Sequence, residues 1–153
     1  MKSIMFVCHG NICRSPMAEL VFKKMLAEKG LEGEFSVCSR ATSTEELGNP
    51  VYPPARAELA RHGIDTHGKY AVQLRADDYE KYDLFVGMDS ANIRNMERLF
   101  EGDPAGKVHK LLGFAGDRGD VADPWYTGNF SLTYTDVVRG CEALLEQLLR
   151  ERD

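Results

Sequence analysis

An open, doubly wound α/β domain, with a four-stranded parallel sheet and helices on both faces, is the fold this sequence predicts. Three observations carry that expectation. Short apolar runs of strand length recur along the chain, among them Ile4 to Val7 (I-M-F-V) and Asp83 to Met88 (D-L-F-V-G-M). Segments with helical periodicity separate these runs, and Gly, Pro and Asp punctuate the joins. Strands that alternate with helices imply right-handed βαβ crossovers, and hence parallel strands. A chain of 153 residues with no repeat, low-complexity tract or linker predicts one domain over residues 1–153.

Taken in order, the first strand runs into Cys8. A loop with Gly10 and Asn11 leads to Arg14, and Ser15-Pro16 reads as an N-cap followed by proline at the first helical position, where a missing N–H costs nothing. Leu20, Val21, Met25 and Leu26 keep helical spacing, and Gly30 offers a left-handed stop. Glu34 to Ser39 alternates as a second strand. Arg40 to Pro54 is a loop marked by Gly48-Asn49-Pro50 and Pro53-Pro54, followed by a helix from Ala55 to His62 that ends at Gly63. Ile64 to Leu74 is polar and irregular; a helical turn over Ala76 to Tyr82 then enters the third strand. Ser90 to Phe100 reads as a helix with Ile93, Met96, Leu99 and Phe100 facing inward, and Val108 to Leu112 as the fourth strand. Phe114 to Asn129 is a long loop around Asp123-Pro124-Trp125-Tyr126. Ser131 to Arg150 is a long helix with Val137, Val138, Cys141, Leu144, Leu145 and Leu148 on one stripe. Gly140 inside it carries a cost of up to ~1 kcal/mol relative to alanine.

Composition narrows the function classes. The chain is 43% hydrophobic and 28% charged, ordinary for a globular protein, and its net charge of −5 does not advertise a nucleic-acid or membrane surface. An anion site, if present, is therefore local. No stretch approaches the roughly twenty apolar residues of a membrane span, and the run after Lys2 is too short for a secretory signal. The four cysteines (Cys8, Cys13, Cys38 and Cys141) lack the paired spacing of a zinc site or a disulfide scaffold. They suit a reducing compartment, most simply the cytoplasm. No metal or cofactor is expected.

The chemistry concentrates in Ile4 to Glu19, a strand, a tight loop and a helix, with a thiol where the loop begins and a guanidinium where it ends. Loop N–H groups and a helix N-terminus together form an anion trap. Arg14 adds a planar fork for two oxygens of a tetrahedral oxyanion. The same field favours a thiolate at Cys8, and a nucleophilic sulfur beneath a caged phosphate is what this arrangement suits. The plain alternative is a buried apolar cysteine and a surface arginine. The glycine, the Arg-Ser-Pro helix start and the strand lead-in all argue against it.

An acid is harder to choose from residues alone. Asp117, Asp120, Asp123 and Asp136 all lie on or near one loop. Pro124 stiffens the backbone at Asp123, and the adjacent aromatics would desolvate its carboxyl, as an acid requires. Trp125 and Tyr126 are equally readable as packing residues.

The string Val7-Cys8-His9-Gly10-Asn11-Ile12-Cys13-Arg14-Ser15-Pro16 resembles the signature of the low-molecular-weight protein tyrosine phosphatases. Asp123-Pro124-Trp125-Tyr126 resembles that family's second signature, and Ser39 to Ser43, Gly48 to Pro50 and Met88 to Asn92 extend the likeness over essentially the whole chain. The resemblance implies hydrolysis of phosphotyrosine in proteins through a cysteinyl-phosphate, with inorganic phosphate and other oxyanions as competitive ligands. It implies Cys8 as nucleophile, Arg14 and the N–H groups from His9, Gly10, Asn11, Ile12 and Cys13 to Arg14 as the phosphoryl cradle, and Asp123 as acid and then base. Asn11 would brace the loop, the Ser15 hydroxyl would support the thiolate, and Trp125 and Tyr126 would wall the substrate ring. Cys13 would be a redox partner of Cys8, resolving its oxidised form as a disulfide; a buried loop thiol is the duller alternative.

Three positions depart from the family pattern. A histidine that braces the loop serine is usual in the family, but the corresponding segment here is His67-Gly68-Lys69-Tyr70-Ala71-Val72-Gln73, which leaves either Lys69 or His67 in that place. Glu45 stands where an aromatic wall residue is common and would favour basic substrate flanks, unless it is simply a solvated charge. Cys38 stands where an aspartate can occur.

Other functions on this scaffold are less well served. An arsenate reductase relay needs a further cysteine pair, and no cysteine lies between Cys38 and Cys141. Arginine phosphatases carry Thr where this chain has Ile12, whose bulk would crowd a guanidinium. A phosphate-binding module would need neither Cys8 nor Asp123, and a flavodoxin-type cofactor binder rests on the fold alone.

Overall fold

The computed structural model describes residues 1–152. Four strands, β1 (Lys2–Cys8), β2 (Phe35–Ala41), β3 (Leu84–Gly87) and β4 (Val108–Lys110), form one all-parallel sheet in the order β2-β1-β3-β4. Between them lie α1 (Arg14–Glu28), α2 (Pro53–Arg61) and α3 (Ser90–Leu99); α4 (Pro124–Thr127) and α5 (Phe130–Glu151) follow β4. No helix among the described residues is long and apolar enough to cross a membrane.

β1 is buried on both sides, which explains its unbroken apolar run. Ile4, Phe6 and Cys8 point toward the core built with α1, α2 and α5, where Val21, Phe22, Leu59, Val137 and Leu144 pack. Met5 and Val7 point the other way, with Leu74, Phe85, Met96 and Phe100. The period of two thus sends Cys8 to the same face as Phe6 and α1. Gly140 has a packing reason: a Cβ there would fall inside the Leu111 side chain, so glycine lets α5 close on the segment after β4.

Some local expectations are corrected. Ser15 is not the N-cap of α1; the helix begins at Arg14 with Cys13 at the cap and no side-chain capping bond, because the Ser15 hydroxyl is engaged with Cys8 and Asn11. Leu99 is 38% exposed rather than inward, its place in the core taken by Phe100 at 4%. Leu111 and Leu112 leave the fourth strand and open a 3-10 turn over Leu111–Ala115. α5 starts one residue early, at Phe130, where the Asn129 side chain accepts the Leu132 N–H and caps it.

The strand order reverses at β1: β2 lies on one side and β3 on the other. The loops leaving β1 and β3 therefore part at their carboxyl ends and open a crevice there.

Candidate active site

That crevice is a cavity of about 490 Å³, with Cys8, Asn11, Arg14, Asp89, Asp123, Trp125 and Tyr126 among its lining residues. Cys8 ends β1 and is 4% exposed. Its sulfur meets the Ser15 hydroxyl at 3.0 Å and accepts the N–H groups of Asn11 at 3.3 Å and Ser15 at 3.4 Å. One hydroxyl and two backbone N–H groups thus converge on this sulfur. Among the described residues, no acceptor takes the N–H groups of Gly10, Ile12 or Cys13, so the loop keeps donors for an anion. Asn11 holds the loop's curl with φ of +59°, a left-handed conformation that asparagine tolerates.

Arg14 is 4% exposed, and its guanidinium is aimed by three acceptors. Nη1 donates to the Val121 carbonyl at 3.1 Å, while Nη2 donates to Asp89 Oδ2 at 2.9 Å and lies 3.4 Å from Asp123 Oδ2. Burial works against its charge, but Cys8, Asp123 and Asp89 outweigh that and hold it protonated all the more firmly. The sequence does not single out Asp89 as a site residue. It caps α3, its Oδ1 accepting the Asn92 N–H at 2.8 Å, and spends its second oxygen on Arg14. The signal available was the capping pattern Asp89-Ser90-Ala91-Asn92 beyond a buried strand.

The four aspartates separate cleanly by partner. Asp117 holds Arg139 and the Gly119 N–H, Asp120 holds Lys110 and Ser90, and Asp136 accepts the Ala122 N–H. Asp123 alone of these lines the cavity, its Oδ1 accepting the Trp125 N–H at 3.0 Å as the cap of α4. Trp125 and Tyr126 are 60% and 84% exposed, and neither is a core residue. Trp125 leans on Tyr52 with ring centroids 5.3 Å apart, which steadies one wall of the mouth. Glu45, which also lines the cavity, meets His9 Nε2 at 3.1 Å, both well exposed.

Cys13 and Cys38 are half-buried free thiols, and Cys141 is buried in the core. Burial, the nearby Cys8 and Asp123 push the Cys13 thiol up to about 12. Beneath the loop, Asn11 Nδ2 donates to Ser15 Oγ at 2.7 Å and to Ser39 Oγ at 2.9 Å, and Ser39 donates to Glu19 at 2.6 Å. Lys69, not His67, reaches this network: its Nζ lies 3.2 Å from Glu19, whereas the His67 backbone N–H turns to Asp65 and its side chain is exposed.

Comparison with known proteins gives the family. Residues 3–153 match the family model described as low molecular weight phosphotyrosine protein phosphatase. The chain is 37% identical to the low molecular weight protein-tyrosine-phosphatase YfkJ of Bacillus subtilis (strain 168) over 99% of each chain, and 36% identical to the low molecular weight phosphotyrosine protein phosphatase of Gallus gallus over 95% of each. The crystal structure of YfkJ superposes with a TM-score of 0.96, covering 100% of this chain and 98% of that one. The low molecular weight protein tyrosine phosphatase from Streptococcus pyogenes superposes at 0.87 with 36% identity, covering 97% and 93%. The chain belongs to the low molecular weight phosphotyrosine protein phosphatase family.

Proposed function

We propose that this member of the family hydrolyses phosphotyrosine in proteins by way of a cysteinyl-phosphate. The observation that carries the reading is the convergence on one sulfur: two N–H donors and the Ser15 hydroxyl within 3.4 Å of Cys8 Sγ, in a cavity that also holds Arg14 and Asp123. The Cys8 thiolate attacks phosphorus and the bond to the phenolic oxygen breaks. Asp123 donates its proton to the departing phenolate. Asp123 then takes a proton from water as that water attacks the cysteinyl-phosphate, releasing phosphate and restoring the thiolate. Arg14 and the loop N–H groups carry the charge of the equatorial oxygens, so the reading calls on no metal. An incoming phosphoryl group competes for Arg14 Nη2, which frees Asp123 from its 3.4 Å contact for proton transfer.

Trp125 and Tyr126 offer aromatic faces to the substrate ring, and a phenolate leaves more readily than an alkoxide, so aryl phosphates are preferred. Ile12 beside them disfavours phosphoarginine. The four free cysteines suit a reducing compartment such as the cytoplasm. Under oxidation, Cys8 sulfenic acid condenses with the Cys13 thiol to give a disulfide and water. Loss of the Cys8 negative charge at that moment removes one of the influences that keep Cys13 protonated. Peroxide inactivation is therefore reversed by thiol in the native chain, whereas in Cys13→Ser the unresolved sulfenic acid is oxidised further by excess peroxide to sulfinic acid, which thiol does not reverse.

The test is metal-free phosphate release from phosphotyrosyl, phosphoseryl and phosphoarginyl peptides by wild type, Cys8→Ser and Asp123→Asn. Tyrosine-selective turnover is expected, abolished in Cys8→Ser and lowered by roughly 10²–10⁴ in Asp123→Asn. Turnover that survives Cys8→Ser places the nucleophile elsewhere.

A further inference from the structure

We propose that a groove beside the catalytic cavity, walled by the far half of α3, is a substrate subsite in which Arg98 recognises an acidic residue about three positions from phosphotyrosine. The inference rests on phosphotyrosine hydrolysis being the activity of this chain.

The groove has a volume of about 450 Å³ and adjoins the catalytic cavity, with His9 and Asn95 lining both. One stripe of α3 runs through the two. Ala91 and Asn92 line the catalytic cavity, Asn95 stands at the junction, and Arg98 and Leu99 line the groove alone. Residues at i, i+4 and i+7 share one face of a helix. With a rise of about 1.5 Å per residue, Ala91 and Arg98 are about 10 Å apart along the axis. An extended chain advances about 3.3 Å per residue, so a segment leaving the catalytic cavity along this stripe reaches Arg98 in about three residues. The opposite wall comes from His9 after β1, Thr42 after β2, and the segment at Gln73 and Leu74. The groove thus lies at the carboxyl ends of the strands, where ligand sites of open parallel sheets are found.

Three features of the groove call for such an occupant. Arg98 is exposed, and among the described residues no carboxylate pairs with it, whereas the likewise exposed Arg75, Arg139 and Arg150 each hold one. None of the described residues that line the groove is acidic. Its other basic residue, His9, is engaged by Glu45, which lines the catalytic cavity and not the groove. Leu99 is 38% exposed, and with Leu74 it gives the groove apolar area for the aliphatic part of a bound segment. Thr42 Oγ1 and Gln73 Oε1 are buried and without a hydrogen-bond partner, although Gln73 Nε2 donates to the Thr42 carbonyl at 3.2 Å. Both residues line the groove, and a rotamer change brings either oxygen to its surface, where N–H groups of an extended segment supply the missing bond. An unpaired guanidinium, apolar area beside it and unmet oxygens together suit an acidic peptide. A basic segment would meet Arg98 as a like charge, and a small anion would leave Leu99 and the two oxygens as they are.

The experiment measures kcat/KM for phosphotyrosyl peptides, otherwise neutral, in which one glutamate is moved through the flanking positions on either side of phosphotyrosine. Wild type is compared with Arg98→Ala, Arg98→Lys and Arg98→Glu, and with Arg94→Ala as a control on the same helix, since Arg94 lines neither cavity. The readout is the ratio of each peptide to the neutral one, so a general loss of activity in a variant cancels. In wild type the ratio should reach about three- to fivefold at one position about three residues from phosphotyrosine, the size of one exposed ion pair. It should fall to about one in Arg98→Ala and take an intermediate value in Arg98→Lys, which keeps the charge without the fork. In Arg98→Glu the preference should pass to a peptide with lysine at that position, and Arg94→Ala should keep the wild-type pattern. The preference should also fade as salt is raised to about 1 M, where the Debye length is about 3 Å. A flat profile in wild type, or a glutamate preference that survives Arg98→Ala, overturns the subsite and leaves the catalytic reading in place. Turnover of none of the peptides by wild type overturns the phosphotyrosine reading, and the subsite with it.

Discussion

The two loops that meet at Arg14 are built in opposite ways. Residues 8–15 are mostly buried and bonded from below, with Asn11 at 1%, Ser15 at 0% and Arg14 at 4% exposure. The turn that carries Asp123 is capped by its own aspartate, and the aromatic side chains following it stand in solvent. A buried polar network holds one geometry because each unmade bond is costly, whereas an exposed turn can adjust to what enters the cavity. On the proposed mechanism the nucleophile and its cradle are thus preorganised, and the acid sits on the adaptable side. The lesson is that substitutions in the two loops should fail differently: in the first through geometry and stability, in the second through chemistry and substrate binding.

Arg14→Lys should break the comparison hardest, because it removes the one group that touches both loops. A lysine keeps the charge but loses the fork that reaches the Val121 carbonyl, Asp89 and, on the proposed mechanism, the phosphoryl oxygens. Turnover of a phosphotyrosyl peptide should fall by about 10²–10³, measured as kcat.

Next comes Asn11→Ala, which strips a fully buried amide from Ser15, Ser39 and the Val72 N–H. It should cost about 2–3 kcal/mol of stability in urea unfolding, together with much of the turnover. An unchanged unfolding midpoint would mean the first loop is not held by this network.

The pH dependence of stability sharpens the same point. The folded Glu19 value lies below the ordinary carboxyl value of about 4.3. Its contribution is therefore present above the unfolded value and is lost as pH falls through the lower folded value. Wild type should exceed Glu19→Gln in thermal midpoint near neutrality, and the gap should shrink below about pH 4. A gap that widens in acid would contradict the assignment of a buried carboxylate.

Trp125→Ala should have the smallest effect. The ring is 60% exposed and packs mainly on Tyr52, so stability should change by about 0.5 kcal/mol or less, while KM for an aryl phosphate rises a few-fold.

Much of this was legible along the chain. The sequence calls for four parallel strands, and the sheet has them; the cysteine at the end of β1 and the arginine six residues on mark the cradle. Local rules misled where a side chain had distant work. Ser15 followed by Pro16 looks like a helix cap, yet its hydroxyl belongs to Cys8 and Asn11. Leu99 fits the helical stripe, but the helix ends beside it and Phe100 takes the core position. Asp89 lies in a stretch that resembles the family, but nothing local marks its carboxylate as a partner of Arg14, since that arginine is 75 residues away in sequence.

By itself, then, the sequence determined the element order, the two-sided burial of β1 and the Cys8–Arg14 loop, because periodicity and fixed spacing act over one or two turns of chain. Only the tertiary structure decided that Asp89 aims the guanidinium and that Lys69 rather than His67 supports Glu19. Those contacts join segments brought together by the crossover of β2 and β3 around β1. No local rule encodes them; they exist because a buried polar group must find its partner wherever the fold delivers one.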